Sequence, residues 1–178
     1  MPERNKLVFI GLHIVAWVIF VGLSIEAGAL IVNFVFSLFK PEFVQNLYQK
    51  LDLSQMYKLS KPVFFGMYGF ILVIAVLKSV MFYIVIMLLS KLDLAKPFNS
   101  HVAGKITKIS YYALSIGLLS YMARETARHL QHYGFETGSM HQFWEDSNAY
   151  ILMAAVIYVI ASIFSRGVEI QNENDLTV

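Results

Sequence analysis

The chain has 178 residues, of which 57% are hydrophobic and 15% charged, with a formal net charge of +2 and no cysteine. A soluble domain carries about 25% charged residues because its surface must face water, so this composition points to an exterior that faces lipid. The lack of cysteine excludes disulfides, thiolate catalysis and cysteine-based metal sites, and the absence of a dense Lys/Arg run argues against direct nucleic-acid binding.

The first predicted helix runs from Leu7 to Phe39. Arg4 and Lys6 ahead of an apolar run, with Ala27-Gly28-Ala29 further on, imitate a signal peptide. A cleavable apolar core is only about 7–15 residues long, whereas this run continues well past it, so the segment is read as an uncleaved membrane helix. At 1.5 Å per residue it is about 48 Å long, more than the roughly 30 Å of bilayer hydrocarbon, so it must tilt, bend (Gly22 and Gly28 are candidates) or project. Pro41 marks its end, and the mixed segment Glu42–Lys61 reads as short interfacial helical turns, with Phe43, Leu47, Leu51 and Leu53 set against Gln45, Lys50, Asp52 and Lys58.

The second span is predicted over residues 62–90, where Pro62 fits a first helical turn. Lys91, Asp93, Lys96 and Pro97 follow it. Asn99 or Ser100 can cap the next helix, whose span is predicted over 106–130: apolar from Ile109 to Met122, then polar through Arg124, Glu125, Arg128, His129 and His132. Gly134 and Gly138 suggest a break, and a polar loop leads to a fourth span over 146–165, ending at Ser165-Arg166-Gly167, with a tail over 166–178. The expected fold is therefore all-α, a single integral membrane four-helix bundle. A soluble helical protein is the competing reading, but four helices apolar nearly all round leave no polar exterior.

Four spans put both termini on one side. With that side cytoplasmic, seven basic residues lie inside (Arg4, Lys6, Lys91, Lys96, Lys105, Lys108, Arg166) and six outside (Lys40, Lys50, Lys58, Lys61, Arg124, Arg128), a near balance in which Arg4 and Lys6 beside the first span favour cytoplasmic termini.

Glu26 and Lys78 lie within apolar runs, where an isolated charge costs about 3 kcal/mol or more. Their depths suit an intramembrane pair, which reads either as a polar transport site or as a packing device. His13 and Trp17, one turn apart, read as an interfacial anchor. The segment Arg124–His132 is the best ligand or metal candidate: Glu125 and His129 share a face, His132 stays near it, and His141, Glu145 and Asp146 lie across the loop. No His-Glu-x-x-His pattern is present, and residues facing lipid headgroups explain the segment equally well. There is no nucleophile elbow, P-loop or dinucleotide fingerprint, so nothing specifies an enzyme or a cofactor. Ser24/Gly28 and Ala113/Gly117 have the spacing of close helix approach, a weak argument for a homo-oligomer.

Two stretches resemble a known family. Lys96-Pro97-Phe98-Asn99 follows the second span, and Phe164-Ser165-Arg166-Gly167-Val168-Glu169-Ile170-Gln171-Asn172-Glu173-Asn174-Asp175-Leu176-Thr177-Val178 closes the chain with a Gly…Gln-x-Glu-x-Asp-Leu-Thr-Val pattern. Together with the order of four apolar segments they resemble the prokaryotic membrane proteins grouped as domain of unknown function 2975. The resemblance implies four helices in the cytoplasmic membrane, with the Pro-Phe loop and the tail in the cytoplasm. It also implies an association with a small helix-turn-helix regulator. It supplies no catalytic residues, and the longer first loop and the outer histidines depart from it.

The expectation is thus a non-enzymatic sensory or regulatory membrane protein. Lys96, Pro97 and Phe98 with Glu169, Gln171, Glu173, Asp175 and Leu176 would form a cytoplasmic docking surface. Alternatives are a small-molecule or ion transporter using Glu26 and Lys78, and a metal-binding protein using Glu125, His129, His132 and His141.

Overall fold

A computed structural model describes residues 3–40, 44, 47–48, 51–92 and 98–175. Five α-helices carry the fold: α1 (Glu3–Phe39), α2 (Ser54–Leu59), α3 (Lys61–Lys91), α4 (Ser100–Gln131) and α5 (Ser147–Asp175), with a 3-10 helix over Gly138–Phe143 before α5. Among the described residues there is no strand beyond an isolated bridge, Leu47 to Leu51.

The four long helices pack in chain order, α1 on α3, α3 on α4 and α4 on α5, the last contact being the most extensive. On α3 the buried residues Phe64, Met67, Tyr68, Ile71, Ile74 and Ala75 recur every three or four positions and so share a face. Tyr68 is wholly buried, and its hydroxyl donates to the Leu30 carbonyl at 3.0 Å while Phe34 stacks on its ring at 5.5 Å. That bond matters because a buried hydroxyl without a partner costs about 1–3 kcal/mol. It ties the antiparallel α1–α3 pair, whose register is also fixed by a Ser24–Ser79 hydrogen bond of 2.9 Å.

The α4–α5 seam works differently. Its buried residues are small: Ala103, Ser110, Ala113, Gly117 and Ser120 on α4, with Ser147, Ala154 and Ala161 at seven-residue intervals on α5. Small side chains let helix backbones approach closely. At Gly117 a Cβ would meet Ile151 Cγ1 at 2.6 Å and the Ile151 backbone nitrogen at 2.9 Å. Because Gly117 sits against the first turn of α5, residues 118–131 of α4 run on about 21 Å past that start. The loop after α4 returns along this projection with Met140, Phe143 and Trp144 buried. The end carrying α2 and this loop is termed the distal end, and the end carrying the α5 C-terminus the tail end.

Among the described residues, three segments are long and apolar enough to cross a membrane: Leu7–Phe39, Lys61–Lys91 and Gly138–Glu173. The expected fourth is not among them. Helix α4 does form, with Asn99 accepting from the Val102 N–H at 2.8 Å as its cap. However, Lys105 and Lys108 on one side and Arg124, Glu125 and Arg128 on the other confine its apolar stretch to residues 109–122. One correction concerns the tail. Helix α5 does not stop at Ser165-Arg166-Gly167 but continues to Asp175, because Gly167 serves as a packing site for Phe98. The short turns expected in the first loop are represented by α2, whose Met56 is buried. Pro41, Phe43 and the 93–97 loop lie outside the described residues.

Candidate functional site

The largest cavity described, about 520 Å³, lies at the distal end between α2 and the segment Phe135–Ser139. It begins with a turn: the Ser54 backbone N–H donates to Asp52 Oδ1 at 2.8 Å and starts α2. Bonding from the Ser54 side chain, reinforced by its backbone N–H, holds the Asp52 carboxyl below the usual carboxylate range. The next residue, Gln55, spans the cleft, donating from Nε2 to the Gly134 carbonyl at 3.2 Å and accepting the Glu136 N–H at 3.0 Å. Gly134 adopts φ +83°, a left-handed conformation that turns the chain back at the end of α4. Gln131 then donates to the Thr137 hydroxyl at 2.7 Å, which itself donates to the Ala127 carbonyl at 3.4 Å.

Leu53, Met56 and Phe135 supply apolar wall, while Asp52, Glu136, Gln131 and the seryl hydroxyls supply polar groups. The volume falls within the roughly 300–1,000 Å³ usual for small-molecule sites, and the groups suit recognition of a small polar molecule. None of the cleft residues stood among the predicted site residues. The signal available was the Asp52-x-Ser54 turn and the glycines bounding the later loop.

The predicted histidine site does not assemble. Among the described residues no three His, Asp or Glu side chains come together to hold a metal ion. Glu125 is taken up by Arg124 and Arg128, at 3.6 and 3.1 Å. His129 packs edge-on against Tyr133, with centroids 5.1 Å apart, and His132 forms the C-cap of α4. His141 instead lines a smaller cavity of about 150 Å³ with Arg124, Thr137 and Trp144. The Arg124 Nε is buried there without a hydrogen bond, its nearest carboxylate oxygen standing at ion-pair distance.

The Ser24–Ser79 bond puts Glu26 and Lys78 at one level of the bundle, yet they form no ion pair with each other. The Lys78 ammonium lies over the Tyr150 ring, 5.5 Å from its centroid, and Glu26 is within electrostatic reach of the same phenol. Tyr150 takes the place of the expected direct partner, because α5 begins deep enough in the bundle to bring its first turn to that level. Neither Glu26 nor Lys78 lines any of the three cavities described. His13 and Trp17 do pair, the indole donating to His13 Nε2 at 3.0 Å.

At the tail end the two stretches that carry the family resemblance meet. Phe98 lies on Gly167 and on Phe164, the two rings 5.3 Å apart, while Asn99 caps α4. Glu169 pairs with Arg166 at 2.6 Å. Gln171 is half-buried, Glu173 is exposed, and Asp175 is the last helical residue. Lys96, Pro97 and Leu176 lie outside the described residues.

No curated protein and no solved structure matches the chain. Residues 47–178 match the family described as "Protein of unknown function (DUF2975)", so the match takes in both walls of the distal cleft, the Phe98–Gly167 contact and the tail, and leaves α1 outside. From the distal turn to the last residue, the chain belongs to the DUF2975 family.

Proposed function

We propose that this protein is a non-enzymatic sensory or regulatory component of the cytoplasmic membrane, with four spans and cytoplasmic termini. Three observations support four spans. The outward residues of α4, namely Tyr111, Leu114, Leu118, Tyr121 and Met122, are exposed and recur at helical spacing. The residues that lower its hydropathy include Ser110, Gly117 and Ser120, which are turned into the bundle. The exposed Ser115 returns its hydroxyl to the Tyr111 carbonyl at 2.9 Å, as a lipid-facing hydroxyl requires.

The sensory part of the reading rests on one observation: α5 starts just after the loop that walls the distal cleft and continues unbroken to Asp175. A small polar molecule that prefers one arrangement of the Phe135–Ser139 wall would bias the position of α5, and with it the arm beyond Gly167. A ligand shifts such an equilibrium only by its difference in affinity between the two arrangements. The arm carries Glu169, Glu173 and Asp175 and would dock a soluble partner. The helix-turn-helix regulator implied by the family resemblance is the partner proposed.

The test is copurification from native membranes with and without residues 169–178. A partner recovered with the full chain and lost from the truncated one is the expected result, and identical partner sets would defeat docking through the arm.

A further inference from the structure

Beside the Phe98–Gly167 contact, a cavity of about 350 Å³ opens between α4 and α5. It straddles the point where both helices change from apolar to polar. Tyr111 and Tyr158 form its apolar side, with ring centroids 6.3 Å apart, and Thr107, Ser162, Ser165, Arg166 and Glu169 form its polar side. Above Tyr111 on the same face of α4, Leu114 and Leu118 are exposed, a track for an acyl chain. If α4 and α5 span the bilayer, this border is where headgroups lie and where tyrosine is enriched.

The charges decide which headgroup. A site for an anion gathers uncompensated cations, but here the Arg166 guanidinium is matched by Glu169, with Nη1 and Oε2 2.6 Å apart and both side chains more than half exposed. With Glu173 also within electrostatic reach of Arg166, the one cation here is already matched by carboxylate, which suits a headgroup that carries an ammonium beside its phosphate. We propose that this cavity binds a phospholipid whose headgroup carries a primary ammonium, that is, phosphatidylethanolamine. Its phosphate meets Arg166 and the Ser165 hydroxyl, since the Thr107 and Ser162 hydroxyls already donate to the Ala103 and Tyr158 carbonyls, and its ammonium donates to Glu169. Charge-assisted bonds of this kind are the stronger class of hydrogen bond. A quaternary ammonium has no N–H to donate, so the phosphocholine headgroup loses the second contact.

The inference rests on the membrane reading and goes beyond it. It is tested on full-length protein in nanodiscs, by lipid retention in native mass spectrometry and by melting temperature. The lipids are phosphatidylethanolamine, phosphatidylcholine and phosphatidylglycerol of matched chains, with soluble phosphoethanolamine as a headgroup-only control. The expected result is about tenfold tighter retention of phosphatidylethanolamine than of phosphatidylcholine, the effect of one hydrogen bond to a charged group. Glu169→Gln should erase that preference, and Arg166→Gln should weaken retention of all three lipids. Ser165→Ala, which leaves the ion pair in place, should weaken retention while keeping the preference.

Preference for phosphatidylglycerol, or equal retention of all three lipids by the unaltered chain, would overturn the site. So would tight capture of the soluble headgroup without added lipid, which would mark a solute pocket. Recovery of the protein from the soluble fraction, judged before any lipid is added, would instead remove the membrane reading and the site together.

Discussion

The ring of Phe98 occupies the space where Gly167 would carry a side chain, its Cδ1 lying 2.5 Å from the position of a Cβ. The contact joins the turn before α4 to the far end of α5. It explains how a glycine persists inside a long helix, where it costs about 1 kcal/mol relative to alanine.

Gly167→Ala is therefore expected to destabilise the protein despite alanine's better helix propensity, by about 1–3 kcal/mol as overpacking does. Phe98→Ala should relieve the clash, so the double variant should lose less than the sum of the two single losses. Detergent-solubilised melting curves of the four proteins provide the check. Additive losses would show that the ring does not hold the glycine's place.

Gly117→Ala should do more damage than Gly167→Ala. The new methyl meets the Ile151 backbone nitrogen at 2.9 Å and the Ser147 carbonyl at 3.2 Å as well as a side chain. A ring can swing aside, whereas helix backbone moves only if α4 and α5 separate. Cross-linking yield between cysteines placed at the α4–α5 seam should fall in this variant and stay near its starting value in Gly167→Ala.

Gln55→Ala removes both bonds that span the distal cleft. These bonds are exposed, so the expected loss is about 0.5–1.5 kcal/mol, concentrated where they act. Hydrogen exchange at the Glu136 amide should accelerate, while amides in the buried middle of α3 keep their protection.

Asp52 predicts a pH response. Its folded carboxyl is held below its ordinary value, about 3.9, by the Ser54 side chain and backbone. A depressed folded pKa contributes stability that is present above the unfolded value and lost as pH falls through the folded one. The distal turn should therefore loosen below about pH 4, and Asp52→Asn should flatten this acid response. Because the carboxyl is largely exposed, the effect belongs to local hydrogen exchange at Ser54 rather than to global melting.

Lys78 and Tyr150 should be coupled. A cation over an aromatic ring contributes about 0.5–2 kcal/mol depending on desolvation. Tyr150→Leu should thus cost more in the native chain than in a Lys78→Met background. Equal losses in the two backgrounds would indicate that the ammonium gains nothing from the ring.

What could be read from residues alone follows the strength of local signals. The helices α1 and α3 were legible almost to their ends, since an uninterrupted apolar run admits no other element, and Asn99 announced the start of α4. The break at Gly134 was equally visible. The end of α5 was not, because Gly167 carries a local stop signal that a residue nearly seventy positions away converts into packing. Lys78 meets Tyr150 where a Glu26 partner is expected, since helix geometry fixes height along an axis and says little about a third helix. The distal cleft stayed hidden for a related reason: its walls are eighty residues apart, and amide and hydroxyl side chains look like ordinary loop composition until Gln55 bridges them.

The staggered heights of α4 and α5 have a further consequence. About four turns of one helix, propped by the returning strap with its buried tryptophan, make a turret standing clear of its shorter neighbour. Such a turret can vary its crown by substitution or small insertions without disturbing the foundation below, and macromolecules too large to enter a bilayer can still touch it.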